Sequence, residues 1–510
     1  MIPRLSVGPV DSGPDPLVRT QAGTGTEAAL HAAREAQRAF ADVPEWRVDR
    51  LLAALADVIV VHAQSLAADT VQETGMGRVE DKGRKNVFAA RGVADDLIGR
   101  VGSGIVGEDA RSGVVEVARP VGVVLALLPV TNPVATLVFT ALIALKSRNA
   151  LLVRAHPRAV RVTERAVGLL RQALGAHGVP ADLLQTVPGL DRHGLQELMR
   201  DPGIDLVLAT GSSGLVRAAA ESGTPTIGAG SGNAPAWIAA DADVDRAAGA
   251  VVDSKSFDHG VICGSEQHLV VDSSTREPIQ VALERARAAV LRPEDVTRLE
   301  RVLFTGGGIR AEVLGRSPGE LARCAGVAVQ DGVRLLVAPL PAGAVAGPWG
   351  LERLVPVLGL HPVSGERAAL ELCAQFLRRG GAGHTAAVHT RSRERVMRFA
   401  AALPVGRVIV NGPASQGCIG MGNGLVPSLT LACGPVGGAV TTDNITYRHL
   451  QSITRIAAPS TAGPVRTGDP DGRRELTAIR DRVPVPRPAG DRERPASRRG
   501  APDASAPFGG

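Results

Sequence analysis

Apolar and polar positions follow a helical period at the start of the chain and change to a strand period near residue 113. Glu27 to Phe40 is rich in Ala, Glu and Arg, and Trp46 to about Ala68 places Leu51, Leu52, Leu55, Val58 and Ile59 at helical spacing. The segment Glu73-Thr-Gly-Met-Gly77 interrupts that pattern. Glu80, Asp81, Lys82, Arg84 and Lys85 then lead a further predicted helix to about Ile98. From Gly113, Val114-Val-Glu-Val-Ala118 alternates as a strand, while Pro120 to Leu128 is the unbroken apolar run of a strand covered on both faces. Helices are predicted for Val134–Leu145, Ala159–Leu174 and Leu215–Ser222, and strands for Ala150–Val153, Asp205–Leu208 and Ala236–Ala239.

The alternation resumes after residue 263, with a helix over Glu277–Leu291, strands over Arg334–Val337 and Val355–Leu358, and a helix over Gly365–Arg379. Strands Thr385–Val388 and Arg407–Val410 and a glycine-dense loop, Asn411 to Gly424, follow. Strand and helix in regular succession predict α/β architecture with parallel sheets and crossover helices. The expected layout is a flexible N-terminus (1–24), a first α/β domain (25–240) and a second (241–430). A return segment (431–458) and a tail rich in Pro, Arg, Gly and Asp, expected to be disordered (459–510), complete it.

Composition narrows the function classes. Aromatics are 2 % of 510 residues, too few for base stacking to be the working principle. The net charge of +6 reflects arginines gathered in the tail (Arg473 to Arg499), so no nucleic-acid groove is expected. Five cysteines (Cys263, Cys324, Cys373, Cys418, Cys433) with no C-x-x-C pair argue against a zinc site or a disulfide framework. No signal-peptide pattern opens the chain and no apolar stretch reads as a membrane span, so a cytoplasmic protein is expected.

Candidate chemistry centres on Cys263. It follows the polar turn Ser256-Phe-Asp-His-Gly260 and precedes an apolar run, His268 to Val271, which places the sulfur at the mouth of a sheet. There it is either a packed core cysteine or a nucleophile. Thr210-Gly-Ser212 opens a helix, where free amides favour anions. Gly228-Ala-Gly-Ser-Gly232 lacks the G-x-G-x-x-G spacing of a dinucleotide loop and reads as a close-packing turn.

Several segments together resemble the acylating, coenzyme A-dependent branch of the aldehyde dehydrogenase superfamily. They are Glu73–Lys82, Thr131-Asn-Pro133, Ala141–Ala150 with His156-Pro-Arg158, Gly228–Pro235, Ser256–Gln267, Gly381-Ala-Gly-His-Thr385 and Asn411–Gly438. They occur in family order over about residues 25 to 457. The resemblance implies an aldehyde dehydrogenase-like fold: a dinucleotide-binding domain, a catalytic domain carrying Cys263, and a small oligomerisation element near 113–119 and after about Leu431. It implies a homodimer or homotetramer.

It also implies roles. Cys263 is the nucleophile and Asn132, otherwise a turn-capping residue before proline, an oxyanion donor. Thr210, Gly211 and Ser212 would face the dinucleotide phosphate, and Glu352 matches a ribose-binding glutamate. Arg154 stands where relatives keep a residue near the adenosine ribose, so NADP as well as NAD is an expected coenzyme, with coenzyme A as co-substrate. His384 and Cys418 are expected along the substrate or coenzyme A path. Glu266 and His259 flank the nucleophile without an assigned role. Hydrolytic relatives carry a glutamate in the segment that here reads Thr226 to Pro235, and no carboxylate occurs between Glu221 and Asp241. The expected reaction is therefore aldehyde to acyl-CoA, with acetaldehyde as the aldehyde. Succinate semialdehyde, sulfoacetaldehyde and a non-catalytic scaffolding role are the alternatives. In the tail, Glu475 to Val483 is either a docking helix for a partner or protein shell, or a solvated turn.

Overall fold

The structure, a computed structural model, describes residues 16–109 and 112–457. The expected tail helix at 475–483 and the disordered tail lie outside these residues. Of the N-terminal stretch expected to be loose, Pro16 onward belongs to a helix that runs to Phe40.

Helix Glu45–Thr74 follows and ends where Gly75 adopts φ 70, a left-handed cap that glycine takes without the Cβ clash. By length and composition it could cross a membrane, which corrects the expectation that no stretch qualifies. Here Leu51, Leu52, Leu55, Ile59 and Leu66 bury that apolar face in the first domain's core.

The first sheet has five parallel strands in the spatial order Leu184–Thr186, Ala150–Arg154, Val123–Leu127, Leu206–Thr210, Thr226–Ala229. Val123–Leu127 and Ala150–Arg154 are buried throughout, as unbroken apolar runs require. Helix Pro133–Lys146 is buried at every residue beneath them. The strand expected to run from Pro120 to Leu128 is divided. Pro120 closes an antiparallel strand, and the chain turns at Gly122 before entering the sheet. The chain leaves Val123–Leu127 toward one edge and returns on the other side at Leu206–Thr210. These two neighbours therefore form the topological switch point, where open α/β sheets bind ligands beyond the strands' carboxyl ends.

The second sheet has seven parallel strands: Ala288–Val290, Leu335–Pro339, Val357–Val363, Glu266–Asp272, Ala234–Ile238, Gly383–His389 and Val405–Val410. The strand at 234–238 was assigned by sequence to the first domain. It pairs instead with Glu266–Asp272 and Gly383–His389 of the second sheet. The helix expected from Glu277 to Leu291 stops at Arg285, and Ala288–Val290 becomes the sheet's edge strand. Helices Pro293–Leu303, Pro318–Ala325 and Arg393–Ala402 are elements not anticipated from the pattern.

A third, antiparallel sheet joins Gly104–Asp109, Val114–Pro120 and Gln451–Ile456. The return segment therefore pairs with the strand near 114.

Candidate active site

Four residues, Gly230 to Asn233, connect the carboxyl end of Thr226–Ala229 to the amino end of Ala234–Ile238. So short a link makes the carboxyl edge of the first sheet face the amino edge of the second. Asn132 follows one strand of the first sheet and Thr210 ends another. Cys263, Glu352 and Gly381 precede strands of the second. Chain connectivity alone brings these segments to one crevice.

Cys263 lies between the turn Phe257–Gly260 and strand Glu266–Asp272. It is half-buried, and among the described residues no carbonyl accepts its backbone N–H. Burial pushes its thiol well above the ordinary range, and Cys418, Glu352 and Cys433 add to this while Arg407 opposes it. These surroundings favour the thiol over the thiolate. The turn before it is strained: Asp258 (φ 49) and His259 (φ 51) are consecutive non-glycine residues in the left-handed region. Each such residue costs roughly 1–3 kcal/mol and persists only where the surroundings over-determine it. Asp258 Oδ1 accepts the Arg78 N–H (2.7 Å), its Oδ2 accepts Lys82 Nζ (3.0 Å) and Lys85 Nζ, and its own N–H donates to Asp81 Oδ2 (2.9 Å). His259 Nδ1 meets the Gly315 carbonyl at 3.1 Å.

Asn132 is brought to this turn. Its Nδ2 donates to the Val261 carbonyl (3.1 Å), two residues before Cys263, and to Thr131 Oγ1 (3.3 Å), while its Oδ1 accepts from Lys85 Nζ. Lys82 Nζ donates to the Thr131 carbonyl (2.8 Å). The lysines were legible only as charged positions on a helix. Their spacing of three residues, which puts both on one face, was the available signal. What it lacked was Asp258 as the partner, 173 residues further along.

Gly232 packs directly on the nucleophile loop. A Cβ at Gly232 would lie 1.8 Å from the Cys263 carbonyl oxygen and 3.3 Å from Glu352 Oε1. Glu352 Oε1 accepts the Gly232 N–H at 3.1 Å. A carboxyl group therefore does reach the segment that contains none of its own. Burial pushes Glu352 up to about 8, against the Gly232 amide, Lys255 and Arg353, which pull it down. Since its pKa is raised, the group is mostly protonated at pH 7 and becomes a base only as pH rises through about 8. A protonated carboxyl cannot take a proton from water. Acyl-enzyme hydrolysis without coenzyme A is expected to be slow at pH 7, to rise through about pH 8, and to stay flat in Glu352→Gln. Single-turnover quench measurements across that range check this.

The expected phosphate site is partly committed. Gly211 N–H donates to the Ala229 carbonyl (3.2 Å), and Ser212 Oγ caps the helix Ser213–Ala220 by accepting from Leu215 N–H (3.3 Å). Thr210 Oγ1 lies 3.3 Å from Thr430 Oγ1. Ser213 and Gly214 are the first-turn amides left without an intrachain acceptor among the described residues, a donor set suited to a phosphate oxygen. Arg154 is 9 % exposed and gives its Nη atoms to the carbonyls of Ala155 and Leu190 (3.0 Å for the latter). A 2′-phosphate would compete with those carbonyls.

Two of the expected path residues, His384 and Cys418, are both fully buried in this structure. His384 Nδ1 contacts Thr385 Oγ1 (2.9 Å), its Nε2 has no partner among the described residues, and burial beside Arg407 holds it neutral, with its pKa at about 3. Cys418 donates to the Ser415 carbonyl (3.3 Å) and packs behind the nucleophile with Phe257, Ile262 and Leu431. Glu266, also fully buried, accepts from Ser254 Oγ and the Ala414 N–H (3.0 Å), tying its strand to the loop at 414. Its partners make it structural.

Comparison with known proteins identifies the family of this chain. The model of the aldehyde dehydrogenase family matches residues 15–298. The chain is similar to the sulfoacetaldehyde dehydrogenase (acylating) of Cupriavidus necator, with 36 % identity covering 88 % of this chain and 92 % of that one. It is 34 % identical to the bifunctional aldehyde-alcohol dehydrogenase of Escherichia coli over 84 % of this chain, and spans about half (49 %) of that protein's length. Among solved structures, the acetylating aldehyde dehydrogenase of Geobacillus thermoglucosidasius superposes with a TM-score of 0.85 at 35 % identity, covering 89 % of this chain and 99 % of that one. The propionaldehyde dehydrogenase of Rhodopseudomonas palustris, solved with bound CoA and an acylated cysteine, superposes at 0.76 with 26 % identity, covering 85 % of this chain and 97 % of that one.

Proposed function

We propose that this chain, which belongs to the aldehyde dehydrogenase family, is a coenzyme A-acylating member that converts an aldehyde to an acyl-CoA through Cys263. The observation carrying this reading is the segment against the nucleophile, Thr226 to Pro235. It holds no carboxylate of its own, and the one that reaches it, Glu352, is mostly protonated at pH 7. An acyl group on Cys263 is therefore left for a thiol and not for water.

In this reading the Cys263 sulfur bonds to the aldehyde carbon, its proton passing to solvent, and the resulting oxyanion is met by the Cys263 N–H and by Asn132 Nδ2, which gives up the Val261 carbonyl to do so. NAD or NADP, when bound, supplies the hydride acceptor. The Ser213 and Gly214 amides fit its phosphate, and Glu352 fits a ribose hydroxyl only by releasing Gly232. The sulfur then carries a thioester, which coenzyme A takes by thiol exchange, returning the Cys263 thiol.

Acetaldehyde is the proposed substrate. One observation favours succinate semialdehyde or sulfoacetaldehyde as a second reading. Arg407 gives Nη2 to the carbonyls of Ala432 (2.7 Å) and Thr442 (2.6 Å) but leaves Nη1 buried without a partner among the described residues, and its charge is felt at Cys263. Exposed strands of the three-stranded sheet support a homo-oligomer, and a cytoplasmic setting suits the unpaired cysteines. The deciding assay follows NADH formation from each of the three aldehydes with and without coenzyme A. Strict dependence on coenzyme A is expected; equal turnover without it overturns the reading.

A further inference from the structure

Asn132 can stabilise an oxyanion only if its amide presents nitrogen, not oxygen, to the nucleophile loop, since the two ends of a carboxamide have opposite hydrogen-bonding roles. Its Oδ1 is held by Lys85, which is 1 % exposed and clamped in turn by Asp258, which is fully buried. We propose that Lys85 is a positioning residue for the oxyanion donor. Its ammonium fixes Asn132 Oδ1, keeps Nδ2 toward the Cys263 loop, and polarises the amide so that its N–H is a stronger donor. The proposal rests on the oxyanion role of Asn132 in the reading above.

The geometry leaves Lys85 little else to do. Lys82 already balances Asp258 and holds the Thr131 carbonyl, so the backbone of the Asn132 loop is fixed without Lys85. A cation on the carbonyl end of an amide draws electron density from the nitrogen end, the cooperative strengthening found in chains of hydrogen bonds. The charged groups facing Lys85 are Asp81 and Lys82 on its own helix, Val79–Val87, and Asp258 on the nucleophile turn. The Phe257 ring lies 5.9 Å away on that turn, and Thr70 of Glu45–Thr74 and Asn132 line the small cavity around it. Burial lowers Lys85 to about 8, with Asp258 opposing and Lys82 reinforcing the shift.

The test uses the full chain and p-nitrophenyl acetate, which needs neither coenzyme A nor a dinucleotide. The Cys263 sulfur bonds to the acetyl carbon and the carbonyl electron pair moves to oxygen. The pair then returns as the bond to p-nitrophenolate breaks, and the thiol proton passes to solvent. One p-nitrophenolate is released per acetylated Cys263, and its single-turnover rate reports oxyanion formation. Lys85→Met is expected to slow this rate by about 10²-fold, the scale of losing one oxyanion donor, and Asn132→Ala is expected to do the same. Lys85→Arg is expected to recover most of it. The double variant should be no slower than Asn132→Ala alone, because both act through one group. The ratio of wild-type to Lys85→Arg rates should be constant below pH 8 and fall above it, where wild-type Lys85 loses its proton and arginine does not. A Lys85→Met rate within about threefold of wild type, the scale of a surface substitution, overturns the proposal. So does a double variant that loses the product of the two single effects, or a flat ratio. If Lys85→Met does not fold, the pH ratio decides alone. Loss of coenzyme A dependence in the aldehyde assay would strike the functional reading and leave this result standing.

Discussion

Cys263→Ala is expected to abolish aldehyde oxidation, a loss of about 10⁴-fold or more, while leaving the fold intact. The size of the effect follows from the thiol's role: without a sulfur to hold the acyl group, the two-step route has no intermediate. Alanine removes one atom from a half-buried site, so stability should change little. The other cysteines provide the contrast. Cys373, Cys418 and Cys433 are buried, and burial pushes the Cys373 and Cys418 thiols well up from the ordinary range. Their thiols are closed to an acyl donor, whereas Cys263 is half-buried. Acyl-CoA added without NADH should leave an acyl group on the peptide containing Cys263 and on none of those containing the buried three. Full activity in Cys263→Ala would remove the thioester from the mechanism altogether.

Gly232→Ala should be nearly as damaging, although it adds only a methyl group. The new Cβ would stand 1.8 Å from the Cys263 carbonyl oxygen, a backbone atom that no side-chain rotation can clear. The nucleophile loop must move by about an ångström, and displacements of that order cost about 10²-fold in rate. Overpacking is expected to add roughly 1–3 kcal/mol of destabilisation. Gly249→Ala is the control, because it lies on the helix Val244–Ser256 with no atom within 4 Å of the added Cβ. There, alanine should hold or raise stability, since glycine inside a helix costs about 1 kcal/mol against alanine. Steady-state kinetics and thermal unfolding of the two variants separate the cases. Gly232→Ala with wild-type kcat would show that the loop tolerates displacement.

The strands Val123–Leu127, Ala150–Arg154 and Leu206–Thr210 were legible because each is buried on both faces and must be apolar without a break. Helices Pro293–Leu303, Pro318–Ala325 and Arg393–Ala402 were passed over. Signals were nevertheless present in two of them: Val296, Leu299 and Leu303 recur at helical spacing, and Ser317 with Glu320 forms a capping box ahead of Leu321 and Ala322. Ala234–Ile238 was recognised as a strand but given to the wrong sheet, since an apolar run carries no mark of which neighbours it pairs with.

The same distinction holds at the site. The order of motifs along the chain, the missing carboxylate before Asp241 and the turn that presents Cys263 are properties of the linear sequence. Residue type and spacing suffice for them. Tertiary structure alone decided that Glu352 reaches across to Gly232, that His384 and Cys418 are sealed in the core, and that Lys85 joins Asp258 to Asn132. Each of these depends on segments tens to hundreds of residues apart meeting at the edges of two sheets. A hydrogen-bond partner or a degree of burial is a property of that meeting, and no local pattern records it.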